Sequence, residues 1–326
     1  MWRHVAGGLM FLGLASAIGC SVVGAWRDHG AARIFVANFG DNTVSVIDGS
    51  LDREIAILPV GKSPQSLALR PHPPLIAVAN SGTSSLSLID PVGLTVLSDP
   101  LTIGSGPETL AFSADGTRLF VTCYYDRSLH VIDLAGRTQP HEALAFERTP
   151  RGVLVTPDGT KLLVLLHAED GGVAVVDLAT WRVDKTISVD RFPVALALTP
   201  DRRRVAVASS DVNTLTFIDL ATLDPVEIQH VDTDFGLVMH PRKPLLYSML
   251  SFDGEVLVYD YVARAARASI PVGEWPTAGA ITSDGHFLYV SNAESNNVVK
   301  IDTETNTTLI RIAVGNDPGA AVILER

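Results

Sequence analysis

Ile34-Phe35-Val36-Ala37-Asn38-Phe39-Gly40-Asp41-Asn42-Thr43-Val44-Ser45-Val46-Ile47-Asp48 reads as two short β-type runs about a polar turn. The runs are rich in β-branched and aromatic residues, and the Gly-Asp-Asn between them carries turn chemistry. The ending of this stretch returns along the chain. Val44–Asp48 is matched by Leu86–Asp90 and Leu129–Asp133, and weaker copies end at Asp177, Asp219, Asp260 and Asp302. The spacings between these aspartates are 42, 43, 44, 42, 41 and 42 residues, so seven copies at one period account for the chain from Arg33 to Arg326.

Two further markers keep the period. Gly61-x-x-Pro64 is followed by Gly104-x-x-Pro107, Gly273-x-x-Pro276 and Gly315-x-x-Pro318. The turn Pro157-Asp158-Gly159 is matched by Ala114-Asp115-Gly116 and Ser283-Asp284-Gly285. Four β-type runs lie between the markers; in repeat two they are Ser66–Leu69, Leu75–Asn80, Leu86–Asp90 and Thr95–Ile103, the last interrupted by Pro100. A period near 42 with four strands per unit predicts an all-β, seven-bladed β-propeller of four-stranded blades. Each blade has two apolar faces and must stack on its neighbours to bury them. The first strands match the second run of a repeat, whereas Gly319–Leu324 matches a first run. The ring is therefore expected to close by a C-terminal inner strand joining three N-terminal strands, which removes the open sheet edge.

The quoted stretch, with Pro59-Val60-Gly61-Lys62-Ser63-Pro64, resembles the YVTN-type β-propeller repeat; Leu119-Phe120-Val121-Thr122-Cys123 and Phe287-Leu288-Tyr289-Val290-Ser291-Asn292 are its nearest local versions. The resemblance runs through all seven repeats. It implies an exported bacterial or archaeal propeller that binds, scaffolds or accompanies redox enzymes. It supplies no catalytic set, because the motif is structural. No Trp-Asp repeat is present, which separates the chain from WD40 arrays.

The chain has 326 residues, 47% of them apolar, and a formal net charge of −11. The acidic balance argues against binding nucleic acid or an anionic membrane surface. Residues 1–25 read as an export segment, residues 26–32 as a linker and residues 33–326 as the propeller. Arg3 precedes an uncharged run from Val5 to Trp26, and three readings of it stay open. Ala15-Ser16-Ala17 fits a cleavage site; Ala17-Ile18-Gly19-Cys20 resembles a lipobox, making Cys20 the candidate lipidation site; and the run is long enough to stay as an anchor. All three export the propeller, placing it in the periplasm or tethered to a membrane through its N-terminus alone. Cys123 is then the remaining thiol, best kept buried in a strand.

Residues that break a repeat are where function is sought. Chain direction puts the Gly-x-x-Pro loops and the loops after each second strand on one face, here the top. Three consecutive loops, closing repeats three to five, lose Gly-x-x-Pro: Glu147-Arg148-Thr149-Pro150-Arg151, Asp190-Arg191-Phe192-Pro193 and Asp232-Thr233-Asp234-Phe235. Arg148, Arg151 and Arg191 are candidates for a basic pocket, since Arg suits carboxylate or phosphate. Tyr124 and Tyr125 are candidates for its aromatic wall, with His167 and Asp234 in the same sector. The plainer alternative is loop drift, with rim arginines in solvated ion pairs. The residues expected at the channel mouth are Gln65, Glu108, Arg151, Val194, Gly236, Thr277 and Gly319. The periodic aspartates and the Asn38, Asn80 and Asn292 series read as hydrogen-bonding devices for turns rather than as catalytic groups.

No Gly-x-Ser-x-Gly elbow, Walker loop or Cys-x-x-Cys is present, and His167, Glu169 and His230 lie too far apart in repeat position for a metal site. The favoured function is a non-enzymatic envelope binding or scaffold propeller, monomeric and without cofactor, which holds an envelope protein or a small anionic ligand at its top face. One alternative is a propeller accompanying a haem-d1-type or quinone-dependent redox enzyme. Another is a metal-dependent lactonase or hydrolase on the same fold.

Overall fold

The computed structural model describes residues 32–325; the export segment, Cys20 and most of the linker lie outside the described residues. Seven sheets of four antiparallel strands make a ring. Blade 2 shows the pattern: inner strand Pro64–Pro71, then Pro74–Asn80, Ser85–Asp90 and outer strand Thr95–Thr102. The expected closure is present. Pro318–Leu324 is the inner strand of blade 1 and pairs with Arg33–Asn38, in the register Ile34 to Ile323 and Val36 to Ala321. Thr43–Asp48 and Arg53–Pro59 complete that blade.

Strand alternation explains how one blade serves two interfaces. Phe35, Ala37 and Val44 pack against Leu67 and Ile76 of blade 2. Their neighbours Ile34 and Val36 point the other way, against Tyr289 and Val298 of blade 7. The core is thus a set of layers between blades, which is why the strands are apolar on both faces. Cys123 ends a strand in one such layer, and burial, then the Asp126 charge, pushes its thiol up to about 12. It is an inert packing residue.

The periodic aspartates act as turn devices. Oδ1 of Asp48 accepts the backbone N–H groups of Ser50 and Leu51, Asp177 those of Ala179 and Thr180, and Asp302 those of Glu304 and Thr305. These backbone donors hold Asp177 and Asp302 below the usual carboxylate range. The asparagine series works similarly: Asn38 Nδ2 donates to Ser45 Oγ at 2.8 Å and Asn80 Nδ2 to Ser87 Oγ at 3.0 Å. The Gly of Gly-x-x-Pro follows from this. A Cβ on Gly61 would stand 2.6 Å from the Asn80 side chain, and one on Gly315 would stand 2.6 Å from that of Asn38.

Two places depart from the regular plan. The outer strand of blade 3 shrinks to Leu144–Ala145. Trp181 of blade 4 covers that edge, stacking on His141 and donating its indole N–H to the Glu142 carbonyl. The inner strand of blade 6 is only Gly236–Met239. Register there also corrects one expectation. The inner strands of blades 2, 3, 4, 5 and 7 bulge after their first or second residue, at Gln65, Glu108, Arg151, Val194 and Thr277. Gly236 pairs with Met249 as Ala195 pairs with Ala208, so Phe235, not Gly236, takes the channel-mouth position of blade 6. The cause is that this lead-in loop has no proline and is one residue shorter than that of blade 5, so Asp234 stands where Pro193 does.

Candidate functional site

The top face is built from lead-in loops, which run into each inner strand, and crest loops, which join the second and third strands. A lead-in loop bonds to crest loops beside it, as in Ser81 N to Ser63 O and Phe192 N to Ala168 O. The residue before the inner-strand proline has a left-handed backbone in Ser63, Gly106 and Asp317, with φ of 52°, 66° and 54°. Small and polar residues tolerate that region. Two loops place large aromatics there instead, Phe192 at φ 50° and Trp275 at φ 58°. Each costs about 1 kcal/mol relative to an extended backbone. Such strain persists when the surroundings impose it, and it commonly marks a working surface.

Those rings do not stand alone. Phe252, on the crest loop of blade 6, is 74% exposed. Its ring meets Trp275 edge-on at 5.0 Å, and Phe235 lies 6.2 Å from Trp275 and 6.5 Å from Phe252. Phe192 joins Phe235 and Phe252 in lining a cavity of 280 Å³, together with Ser210, Asp211 and Asp234. Asp234 is half-buried. It accepts the backbone N–H of Phe252, and burial, with like charges on Asp253 and Asp232, pushes its carboxyl up.

The sequence-derived candidates fall into three groups. Arg148 pairs with Asp170 and Arg191 pairs with Asp211 at 2.5 Å, both on the rim. Arg151 is buried at the channel mouth, its Nε 2.8 Å from Glu108 Oε1. The expected common basic pocket is therefore three separate ion pairs, because each arginine finds a carboxylate on an adjacent loop or strand. Tyr124 and Tyr125 pack edge-on at 5.3 Å, with Tyr125 exposed. Tyr124 and His167 both lie within electrostatic reach of Arg151. His167 Nδ1 is 3.0 Å from the Pro193 carbonyl, which can only accept, so that nitrogen carries the proton. Burial, helped by the Arg151 charge, lowers the pKa of the imidazole and keeps it neutral at pH 7. Its ring packs on Phe192 at 5.4 Å, which ties the Tyr124–Arg151 cluster to the aromatic one. Asp234 alone among the candidates lines the cavity.

Sequence reasoning missed the aromatic cluster. Phe192 and Phe235 stand in loops already marked as irregular, but their arginines and aspartates drew the chemistry. Trp275 sits in a loop that keeps Gly-x-x-Pro, so nothing marks it as a departure. The signal was the residue type at the left-handed position. Among the described residues no three His, Cys, Asp or Glu side chains converge as a metal site.

Comparisons agree with the architecture. A family model described as YNCE-like beta-propeller matches residues 154–242, the middle of the ring. No curated protein sequence matches the chain. Hydrazine synthase of Kuenenia stuttgartiensis is similar in fold, with TM-score 0.76 and 19% identity over 92% of this chain and 99% of that one. A functionally unknown protein from Desulfotomaculum acetoxidans has TM-score 0.74 at 11% identity, over 90% and 99% of the two chains. The dihydro-heme d1 dehydrogenase NirN in complex with DHE has TM-score 0.67 at 17% identity, over 89% of this chain and 74% of that one. At these identities the likeness is one of fold, and the chain is a seven-bladed, all-β propeller.

Proposed function

We propose that this is an exported cell-envelope binding propeller of the YVTN type, which holds an envelope protein through the top-face loops of repeats three to five and the loop that follows them. The observation that carries this is the cluster of Phe192, Phe235, Phe252 and Trp275, drawn from three lead-in loops and one crest loop onto one sector. Two of the four rings are held there at a backbone cost. Partly exposed aromatic clusters of this kind, rimmed by polar residues, mark recognition surfaces, and Trp is enriched at their energetic centres. The ion pairs of Arg148 and Arg191 form part of the polar rim. Their expected contribution is to orientation and association rate rather than affinity.

Quantitative capture from an envelope extract tests this. Wild-type propeller is expected to retain a discrete partner, and Phe252→Ala with Trp275→Ser to retain it at least about tenfold less, as the loss of central aromatic contacts does. Phe252 is exposed, Trp275 lies outside the apolar layers between blades, and Ser suits the left-handed position as Ser63 does. Equal retention by both proteins would sink the proposal.

A further inference from the structure

We infer that the cavity between blades 5 and 6 is a site for an organic cation, a substituted ammonium or guanidinium group. The inference rests on the top face being the binding face, and it names the chemistry recognised there. Phe192, Phe235 and Phe252 supply half of the cavity's lining residues, with Trp275 packed against the last two. Aromatic faces carry negative potential, and several around one space make a cage suited to a cation. The same cavity contains Asp211 and Asp234. Asp232 and Asp253 add their charges to the field at Asp234. Arg191 is the one cation bound to this set among the described residues, and it is committed to Asp211.

Asp234 receives backbone N–H bonds from Ser251 and Phe252, and no described cationic side chain pairs with it. A carboxylate that is half-buried among like charges is short of compensation. An anion would meet the carboxylates of Asp211 and Asp234 in the cavity wall. A neutral ligand would fill the aromatic walls but leave that charge uncompensated. A cation satisfies both the rings and the carboxylate. The volume of 280 Å³ is the size of a small head group. The strained backbone of Phe192 and Trp275 fits this use, because it aims two rings at the sector where other loops present Ser, Gly or Asp.

Two sources share this chemistry: a free quaternary ammonium compound and a lysine or arginine side chain of a partner. Calorimetric titration of the purified propeller separates them, using choline, its neutral isostere 3,3-dimethylbutan-1-ol, and the blocked amides of lysine and arginine. At least one cation is expected to bind at concentrations up to about 10 mM, and at least about tenfold tighter than the neutral isostere. Binding of choline alone assigns a free cation; binding of the blocked amino acids alone assigns a partner side chain. Asp234→Asn and Phe252→Ala are each expected to weaken binding about fivefold or more while leaving the thermal transition unchanged. Equal affinity for the neutral isostere, or silence from every cation, overturns the assignment. If the cations fail while Phe252→Ala with Trp275→Ser still abolishes capture, the binding face stands and only the cation is wrong.

Discussion

Deleting residues 319–326 is expected to lower the apparent melting temperature by more than about 10 °C or to leave the protein insoluble. The deletion removes the inner strand of blade 1. Arg33–Asn38 then loses its ladder partner and presents unpaired backbone groups at the channel. The two flanking layers suffer together, since Ala321 and Ile323 pack toward blade 7 while Val322 and Leu324 pack toward blade 2. Each lost large apolar side chain is worth roughly 1.5–3 kcal/mol, and a ring has no capping repeat to absorb an open end. Ala321→Asp is a milder form of the same test, because that residue is buried at the closure. A truncated protein with an unchanged transition would contradict the closure.

The second large effect is at the channel mouth. Arg151→Met is expected to destabilise the ring by about 3–5 kcal/mol, because it leaves Glu108 buried without its cation. Replacing both, Glu108→Leu with Arg151→Met, is expected to cost far less, since no buried charge remains. The pH dependence carries the signature. Burial pushes the Glu108 carboxyl up, and Arg151 opposes that shift. Without Arg151 the folded carboxyl titrates well above its unfolded value of 4.5. The folded state then binds this proton more tightly than the unfolded one, so the stability deficit of the single variant relative to the double variant should be smallest below about pH 4.5 and grow as pH rises. Thermal melts of the two variants from pH 4 to 8 check this. A deficit that does not change with pH, or a double variant as unstable as the single one, would show that the pair is not the controlling interaction.

Much of the fold could be read from period alone. Asp48 and its six successors return at nearly constant spacing because each finishes a third strand and holds the next turn by accepting backbone N–H groups. The closure was legible because Gly319–Leu324 has the pattern of an inner strand while Arg33–Asn38 has that of a second strand. The ion pair at the mouth was legible in principle: Glu108 and Arg151 stand one repeat apart at equivalent bulges, on adjacent inner strands. The candidate site was not. Arg148 and Arg191 look like a pocket in one dimension, yet their partners Asp170 and Asp211 lie on crest loops about half a repeat further on. The aromatic cluster depends on a left-handed backbone at Phe192 and Trp275, which aims rings that sequence patterning would leave in a loop. Phe252 joins them only because crest and lead-in loops of neighbouring blades converge on one face.

Site-specific photocrosslinking in the cell tests the binding face most directly. Benzoylphenylalanine is placed at position 252 on the crest loop of blade 6, and separately at position 262. Val262 is also exposed, at 66%, but it follows Asp260 on the opposite face of the same blade. One discrete adduct is expected from position 252 and none from position 262. Adducts from position 262 alone, or equally from both, would contradict the binding face.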